Sequence, residues 1–472
     1  MTTPAATARP FSDPNPPGEQ AEAGARDRLA TLLAVGAAPG TIAVMSVAAP
    51  LGHPEALLSL ALDEPAAFWE PPGGPVMASV GAAHEIALDR SGRIDALLAD
   101  AAALWRRLSI RTAGSSTGAP APRLFGGLAF TVGGAGEEAW RAFGDGRFVL
   151  PRWRYVCDGG RAFLTVAARA EELAGASCRD RFLDEHRAIL AALARGPELA
   201  ARTTRASVDQ LSRDRWNALV DGARSVIRDH RATKIVVARR AEVTADDPLD
   251  PVAVLTRLGV HAGCTRFAFR AGRSTFVGAT PERLIARVGE RVLTEALAGS
   301  IATLDSDAEA LLASVKDGHE HALVVRAVVE RLAPLCRELT VAEAPRVRTL
   351  RHLLHLQTPI AGLLAEPRHV LELVAALHPT PAVGGTPADS ALAWIAAHEP
   401  APRGWYAGPI GWFDAEGDGE FAVALRCGLL TGRRALVYAG SGIVAASRPD
   451  AEWTETAWKQ RALLDALGIA TP

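Results

Sequence analysis

The stretch DAEWTETAWK, residues 450–459, places Glu452, Glu455 and Lys459 at i, i+3 and i+7. On a helix these three share one face, where the two acids repel each other. A solvated stripe is the ordinary explanation. A site that sets a cation beside an anion is the sharper one. FVGATPERL, residues 276–284, runs a strand into Gly278, after which Pro281 fixes a turn that projects Glu282. Alone, Glu282 reads as a charged turn residue; as chemistry, it is a carboxyl poised as acid or base. In SVKDGHEH, residues 314–321, Lys316 and Glu320 are helical i,i+4 partners, which a surface ion pair explains. His319 and His321 flank Glu320, so each diverges from it by about 100°. Without an HExxH pattern this argues against zinc and leaves Glu320 as one oxygen donor for a hard cation.

Three further positions carry chemical potential. In AGSGIVAAS, residues 439–447, Gly440, Ser441 and Gly442 follow a strand and can turn backbone N–H groups toward an anion. The pattern is neither GxGxxG nor a P-loop. Arg426, on the strand ALRC, offers a planar fork for a carboxylate. Lys234 heads the strand KIVVAR; a lysine there ordinarily snorkels, but a desolvated one can serve as a base.

The elements that must hold these residues are short strands mixed with helices. Expected strands include TIAVMSVA, Lys234–Ala238, Phe267–Phe269, Arg291–Leu293, Gly419–Leu425 and Leu436–Ala439. In GWFDAEGDGEFAVALRCGLLTGRRALVYAG two turns separate three strands, an antiparallel meander. Residues 182–228 read as helical with a break near Gly196-Pro197. Ala308–Leu332 and Glu452–Leu467 read as amphipathic helices, the second signalled by Ser447, Pro449 and Asp450. Residues 113–122 form a small-residue loop, and the prolines and glycines of ALHPTPAVGGTP, residues 376–387, form a rigid one. The class is α+β, helices packed on large antiparallel sheets.

Composition narrows the partners. Lys and Arg total 51 against 53 Asp and Glu, a net charge of −2, which gives no basis for nucleic acid or an anionic membrane as partner. Cys157, Cys178, Cys264, Cys336 and Cys427 are scattered, which suits a reducing compartment. The uncharged run 29–52 is cut by Gly36, Pro39-Gly40 and Pro50, so it reads as a helix end, a turn and a strand rather than a membrane span. Residues 1–25 are expected to be a disordered lead, 26–205 the N-terminal part of the fold and 206–472 its catalytic core, in a cytoplasmic protein.

Taken together and in order, GATPE, LAGS (297–300), KxxxEH (316–321), HLQT (355–358), LHPTPAVGG (377–385), RGWYAGPIGW (403–412), GEFAVALR (419–426), YAGSGIV (438–444) and EWTETxxK (452–459) resemble the chorismate-utilising enzymes. The likeness is dense over 206–472. It implies an α+β sandwich around one deep cleft. Ala298 stands where aminodeoxychorismate synthases carry an attacking lysine, and EALAGSIATL lacks the arginine of amine-transferring members. Lys234 matches the lysine that activates water in isochorismate and salicylate synthases. The resemblance therefore implies an isochorismate synthase acting on chorismate, with Lys234 as base and Glu282 as acid. Glu320 and Glu455 would bind Mg²⁺, supported by Glu452. Gly299, Ser300, His355, Arg426, Gly440, Ser441, Gly442 and Lys459 would meet the substrate. A monomer without a glutaminase subunit is expected. The alternatives are a salicylate synthase, an anthranilate synthase-like enzyme and a chorismate-binding protein without turnover. Menaquinone, a catecholate siderophore and salicylate are the destinations such a product has.

Overall fold

The structure, a computed structural model, describes residues 19–60, 63–88, 92–112, 118–197, 204–302, 308–351 and 353–469. Residues 1–18 of the expected disordered lead, and 113–117 of the small-residue loop, lie outside them. Residues 19–25 depart from expectation: they open the helix Glu19–Ala34. Its EQAEAGARDRLATLLA is rich in strong helix formers, which outweigh the local polarity.

Hydrogen-bonded strands form two antiparallel runs. The first passes through Ala66–Glu70, Thr265–Ala271, Ser274–Thr280, Cys427–Thr431, Arg434–Ile443 and Lys234–Ala245. The second passes through Arg123–Leu128, Pro409–Asp414, Gly419–Val423, Arg283–Val288, Arg291–Ala302 and Leu353–Leu364. They join through the long strands Val76–Ala87 and Gly146–Asp158. Among the described residues one pairing is parallel, Ile42–Ala49 with Leu108–Thr112. The α+β class expected from the sequence is the one observed.

Period-two alternation makes the first run a partition between two cores. Along Thr265–Ala271, Phe267 and Phe269 enter a core shared with Phe413 and Phe421 of the second run. Ala268, between them, enters an outer core under helices that supply Leu33, Phe182, Leu255 and Leu463. The inner core also mixes the two halves of the chain. Trp140 packs edge-on against Phe276 at 5.1 Å, and its indole N–H donates to the Tyr438 hydroxyl at 3.1 Å.

Several expected boundaries move. The helix expected over Ala308–Leu332 is two, Ala308–Ala313 and Val315–Leu332, because the Ser314 hydroxyl caps the second by accepting from the Asp317 N–H. The region 182–228 holds the helices Ala176–Arg195 and Arg213–Arg228 with the strand Ala206–Gln210 between them. The last helix starts earlier, at Pro449, whose missing N–H costs nothing at the first helical position. Its buried face is polar through Glu452, Thr456 and Gln460, and apolar only from Ala462.

The expected meander is not one. Gly419–Val423 pairs with Pro409–Asp414 and Arg283–Val288, whereas Cys427–Thr431 pairs with Ser274–Thr280 and Arg434–Ile443. Between them the chain leaves one run and joins the other, with Arg426 in the left-handed region at φ 50°. The segment 281–282 makes the same passage in the opposite direction. The two passages are tied together: the Thr280 hydroxyl donates to the Val423 carbonyl at 2.6 Å, and the Val423 N–H donates to the Glu282 carbonyl at 3.0 Å.

Candidate active site

A cavity of about 940 Å³, open to solvent, lies where the passages, the ends of both runs and two helices meet. Every residue expected from the sequence to serve the site lines it except Ser441. Glu282 and Arg426 enter from the paired passages. Lys234 and Gly440–Gly442 come from neighbouring strands in register Gly442↔Val236. Gly299 and Ser300 come from a bulge in the Arg291–Ala302 strand, and His355 from its partner strand. Gly299 takes φ 76° there, and a Cβ would stand 3.0 Å from that of Asp317, so the bulge needs glycine. The helices Val315–Leu332 and Pro449–Ala466 supply Glu320 and the stripe Glu452, Glu455 and Lys459.

Lys234 does not snorkel. It is 1% exposed, and its Nζ donates to Glu320 Oε1 at 2.6 Å. Glu320 is thus not the partner of Lys316, as helical spacing suggested. Lys316 instead stands 3.7 Å from Glu452 Oε1. The neighbouring histidines diverge as expected: His319 is exposed and His321 buried. The His321 Nδ1–H donates to the Ala298 carbonyl at 3.2 Å, which leaves Nε2 to accept from the Thr358 hydroxyl at 2.7 Å. His321 thereby bolts the helix to the sheet and fixes the direction of Glu320.

Gly442 makes room for the lysine. A Cβ on it would meet Lys234 Cε at 2.6 Å and Glu320 Oε1 at 2.8 Å. Three amides gathered around an anion is not what forms. The glycines lie inside a strand, where successive peptides face opposite edges. The Gly440 carbonyl accepts from Lys459 Nζ at 3.0 Å, so Gly440 and Gly442 present their peptides to the cavity. Ser441 turns the other way and contributes its hydroxyl, which contacts the carboxylates of both Glu452 and Glu455 from behind the wall.

The acids differ in charge state. Burial pushes Glu282 up to about 8, with Glu295 adding to the effect. Burial and then Glu455 also raise Glu452. Burial raises Glu455 too, but the Lys459 ammonium at 2.6 Å and the Ser441 hydroxyl reverse it, so its carboxyl sits well below the ordinary range. His355 is held neutral, by burial first and by Arg426 next. Arg426 Nη2 lies 3.4 Å from His355 Nε2 and can only donate, so Nδ1 carries the proton and donates to Ser300 Oγ at 2.8 Å. The Ser300 proton is then free to point into the cavity.

Among the described residues no three His, Cys, Asp or Glu side chains are gathered as a formed metal centre. The chemistry of the acids nevertheless suits a hard dication. Glu320, Glu452 and Glu455 offer oxygen only, and Glu452 Oε1 is buried without a hydrogen-bond partner. The lysines on Glu320 and Glu455 would have to yield to it.

Sequence reasoning missed part of the wall. Tyr406 and Tyr438 stack at 5.0 Å, and both line the cavity, as do Lys316, Asp317 and Arg403. Burial raises both phenols. RGWYAGPIGW and YAGSGIV contain the two tyrosines, but one aromatic inside a glycine-rich stretch does not by itself announce a wall.

A deep cleft walled by three lysines, two arginines and four glutamates, on this double sheet, defines a class. The family of chorismate-binding enzymes matches over residues 39–468, and the chain belongs to it. The match begins well before residue 206, where the motif likeness thickens. The salicylate biosynthesis isochorismate synthase of Pseudomonas aeruginosa is 41% identical over 359 residues, 74% of each chain. The isochorismate synthase MenF of Bacillus subtilis is 35% identical over 74% of this chain and 75% of its own. Among solved structures, the menaquinone-specific isochorismate synthase MenF of Escherichia coli superposes with a TM-score of 0.77 at 26% identity, covering 95% of this chain and all of that one. Anthranilate synthase component I of Streptococcus pneumoniae shares the fold, at 20% identity and a TM-score of 0.66.

Proposed function

We propose that this protein is an isochorismate synthase, converting chorismate to isochorismate. The observation that carries the reading is a buried lysine and a buried glutamate, its carboxyl pushed up to about 8 by burial, on different walls of one cavity. Water enters at C2 of the ring and gives a proton to Lys234. The ring double bonds shift, and the C4 hydroxyl leaves as water with the proton of Glu282. One water is taken up and one released, so the reaction is an isomerisation. General acid and base must act on opposite sides of the ring, which separate walls allow.

Chorismate carries two carboxylates, and Arg426 and Lys459 are the cations to receive them, with the Gly440 and Gly442 peptides beside Lys459. Ser300, with its proton free, faces the departing hydroxyl. Glu320, Glu455 and Glu452 would hold Mg²⁺, which when bound neutralises the ring carboxylate. Nothing in this chemistry requires ammonia or a glutaminase, and the chain acts alone. The charge balance and scattered free cysteines suit the cytoplasm; among the described residues no helix is long and apolar enough to cross a membrane.

Incubating the pure protein with chorismate and Mg²⁺, and separating the products by chromatography, tests the proposal. Isochorismate is expected. Salicylate with pyruvate would make it a salicylate synthase, and an ammonium-dependent aromatic amine would overturn the water chemistry. Binding without product would leave a chorismate-binding protein.

A further inference from the structure

Glu295 is a strongly held acid close to the cavity that the reaction above does not use. It lies on the Arg291–Ala302 strand, two residues before Leu297, so both point to the same sheet face, and Leu297 lines the cavity. Its side chain is 11% exposed. Three donors saturate it. Arg348 Nη1 reaches Oε1 at 2.9 Å, the Gln357 amide donates to Oε2, and the backbone N–H of Arg283 donates to Oε1 at 3.2 Å. Arg346 in turn holds the Gln357 amide oxygen at 3.0 Å. Arg283 directly follows Glu282, and its own side chain points away to Glu420 at 2.9 Å. A buried carboxylate with this many partners is held still.

We propose that Glu295, anchored by Arg348 and Gln357, is the positioning residue of the acid Glu282: it clamps the peptide after that acid and lays a fixed negative charge beside it. The inference rests on the reading of Glu282 as the proton donor. The groups facing Glu282 divide cleanly. Glu295, from the Arg291–Ala302 strand, favours its protonated form, as burial does. Lys234 from its strand, Lys459 from the last helix and the Thr380 side chain from the proline-rich loop oppose it. While both lysines carry their protons they favour the ionised acid, and Glu295 is the charge that offsets them. A donor is useful only while its pKa stays near the working pH.

The test uses the full chain and two readouts. The first is kcat for chorismate against pH. Wild type is expected to lose activity as pH rises past about 8, where Glu282 gives up its proton. Glu295→Gln keeps an acceptor for the Arg283 N–H but removes the charge. Its alkaline limb is expected to move roughly one unit toward acid, so that its deficit in kcat grows with pH. Glu295→Asp retains the charge and should restore the limb. Glu295→Ala loses the clamp as well, and its kcat should fall at every pH. The second readout is the titration of the Glu282 carboxyl carbon by ¹³C NMR in the unliganded protein, assigned with Glu282→Gln. It should shift down in Glu295→Gln and up in Arg348→Gln, which leaves Glu295 without its counter-charge. An unmoved titration, or a loss of kcat uniform in pH for Glu295→Gln, overturns the inference. The NMR readout holds even if wild type makes no isochorismate, so failure of the activity and failure of the positioning role are told apart.

Discussion

Glu282 and Glu455 face the same cavity, and their surroundings push them in opposite directions. Glu282 is 5% exposed, and no lysine contacts it. Glu455 lies on the helical wall with Lys459 Nζ at 2.6 Å and a side chain 28% exposed. Both are desolvated to some degree, so burial does not separate them. The charge that acts most strongly on each does: the Lys459 cation in contact for Glu455, the Glu295 anion for Glu282. Under the proposed function, one wall would hold a carboxylate for binding, and the other a carboxylic acid for proton transfer.

The sharpest way to break this division is to remove the proton-transfer groups. Lys234→Ala and Glu282→Gln should each lower kcat by on the order of 10²–10⁴-fold. Chorismate affinity, measured by calorimetry, should hardly change, because Arg426 and Lys459 remain. Near-normal turnover in Lys234→Ala would mean that the lysine is only a partner for Glu320.

On the binding wall, Glu455→Gln should keep the fold by circular dichroism yet lose most turnover, since a neutral amide holds Mg²⁺ poorly. Turnover should vanish on exhaustive EDTA treatment and return with added Mg²⁺. Full activity after chelation refutes the metal assignment.

Glycine substitutions sharpen the contrast at smaller scale. Gly442→Ala puts a Cβ 2.6 Å from Lys234 Cε, the far end of a side chain that can give way. Its cost in thermal denaturation should stay within roughly 1–3 kcal/mol while turnover falls clearly. Gly440→Ala meets the Tyr406 hydroxyl at 3.1 Å, a contact a small shift relieves, so both effects should be weaker still. Equal turnover in the two variants would separate Gly442 from the lysine.

Much of this was legible in the sequence because the chemistry sits in short motifs. The pattern of Glu452, Glu455 and Lys459 on one helical face needs only the helical period. Pro281 marks the turn that carries Glu282. What was not legible depends on partners far along the chain. Helical spacing paired Lys316 with Glu320, but Lys234, 86 residues away in sequence, takes that carboxylate. Alternation runs unbroken through GEFAVALRCGLL, so nothing local shows that the strand changes sheets at Arg426. Glu295 reads as an ordinary strand residue in LTEALAG; only Arg348, Gln357 and the Arg283 N–H reveal its place.

The paired passages between the sheets have a mechanical consequence. Glu282 and Arg426 ride on neighbouring segments that cross together, and the Ala279 N–H donates to the Arg426 carbonyl at 3.3 Å to close the set of bonds between them. If the two sheets slide or breathe, these segments travel as one body. The spacing between the backbones that carry Glu282 and Arg426 then behaves like the jaw of a locked caliper, set by backbone hydrogen bonds. Lys234 and Lys459 stand outside that set of bonds, on a strand and a helix of their own. Any motion of the sheets can thus change the spacing of Lys234 from Glu282 while leaving the backbones of Glu282 and Arg426 together.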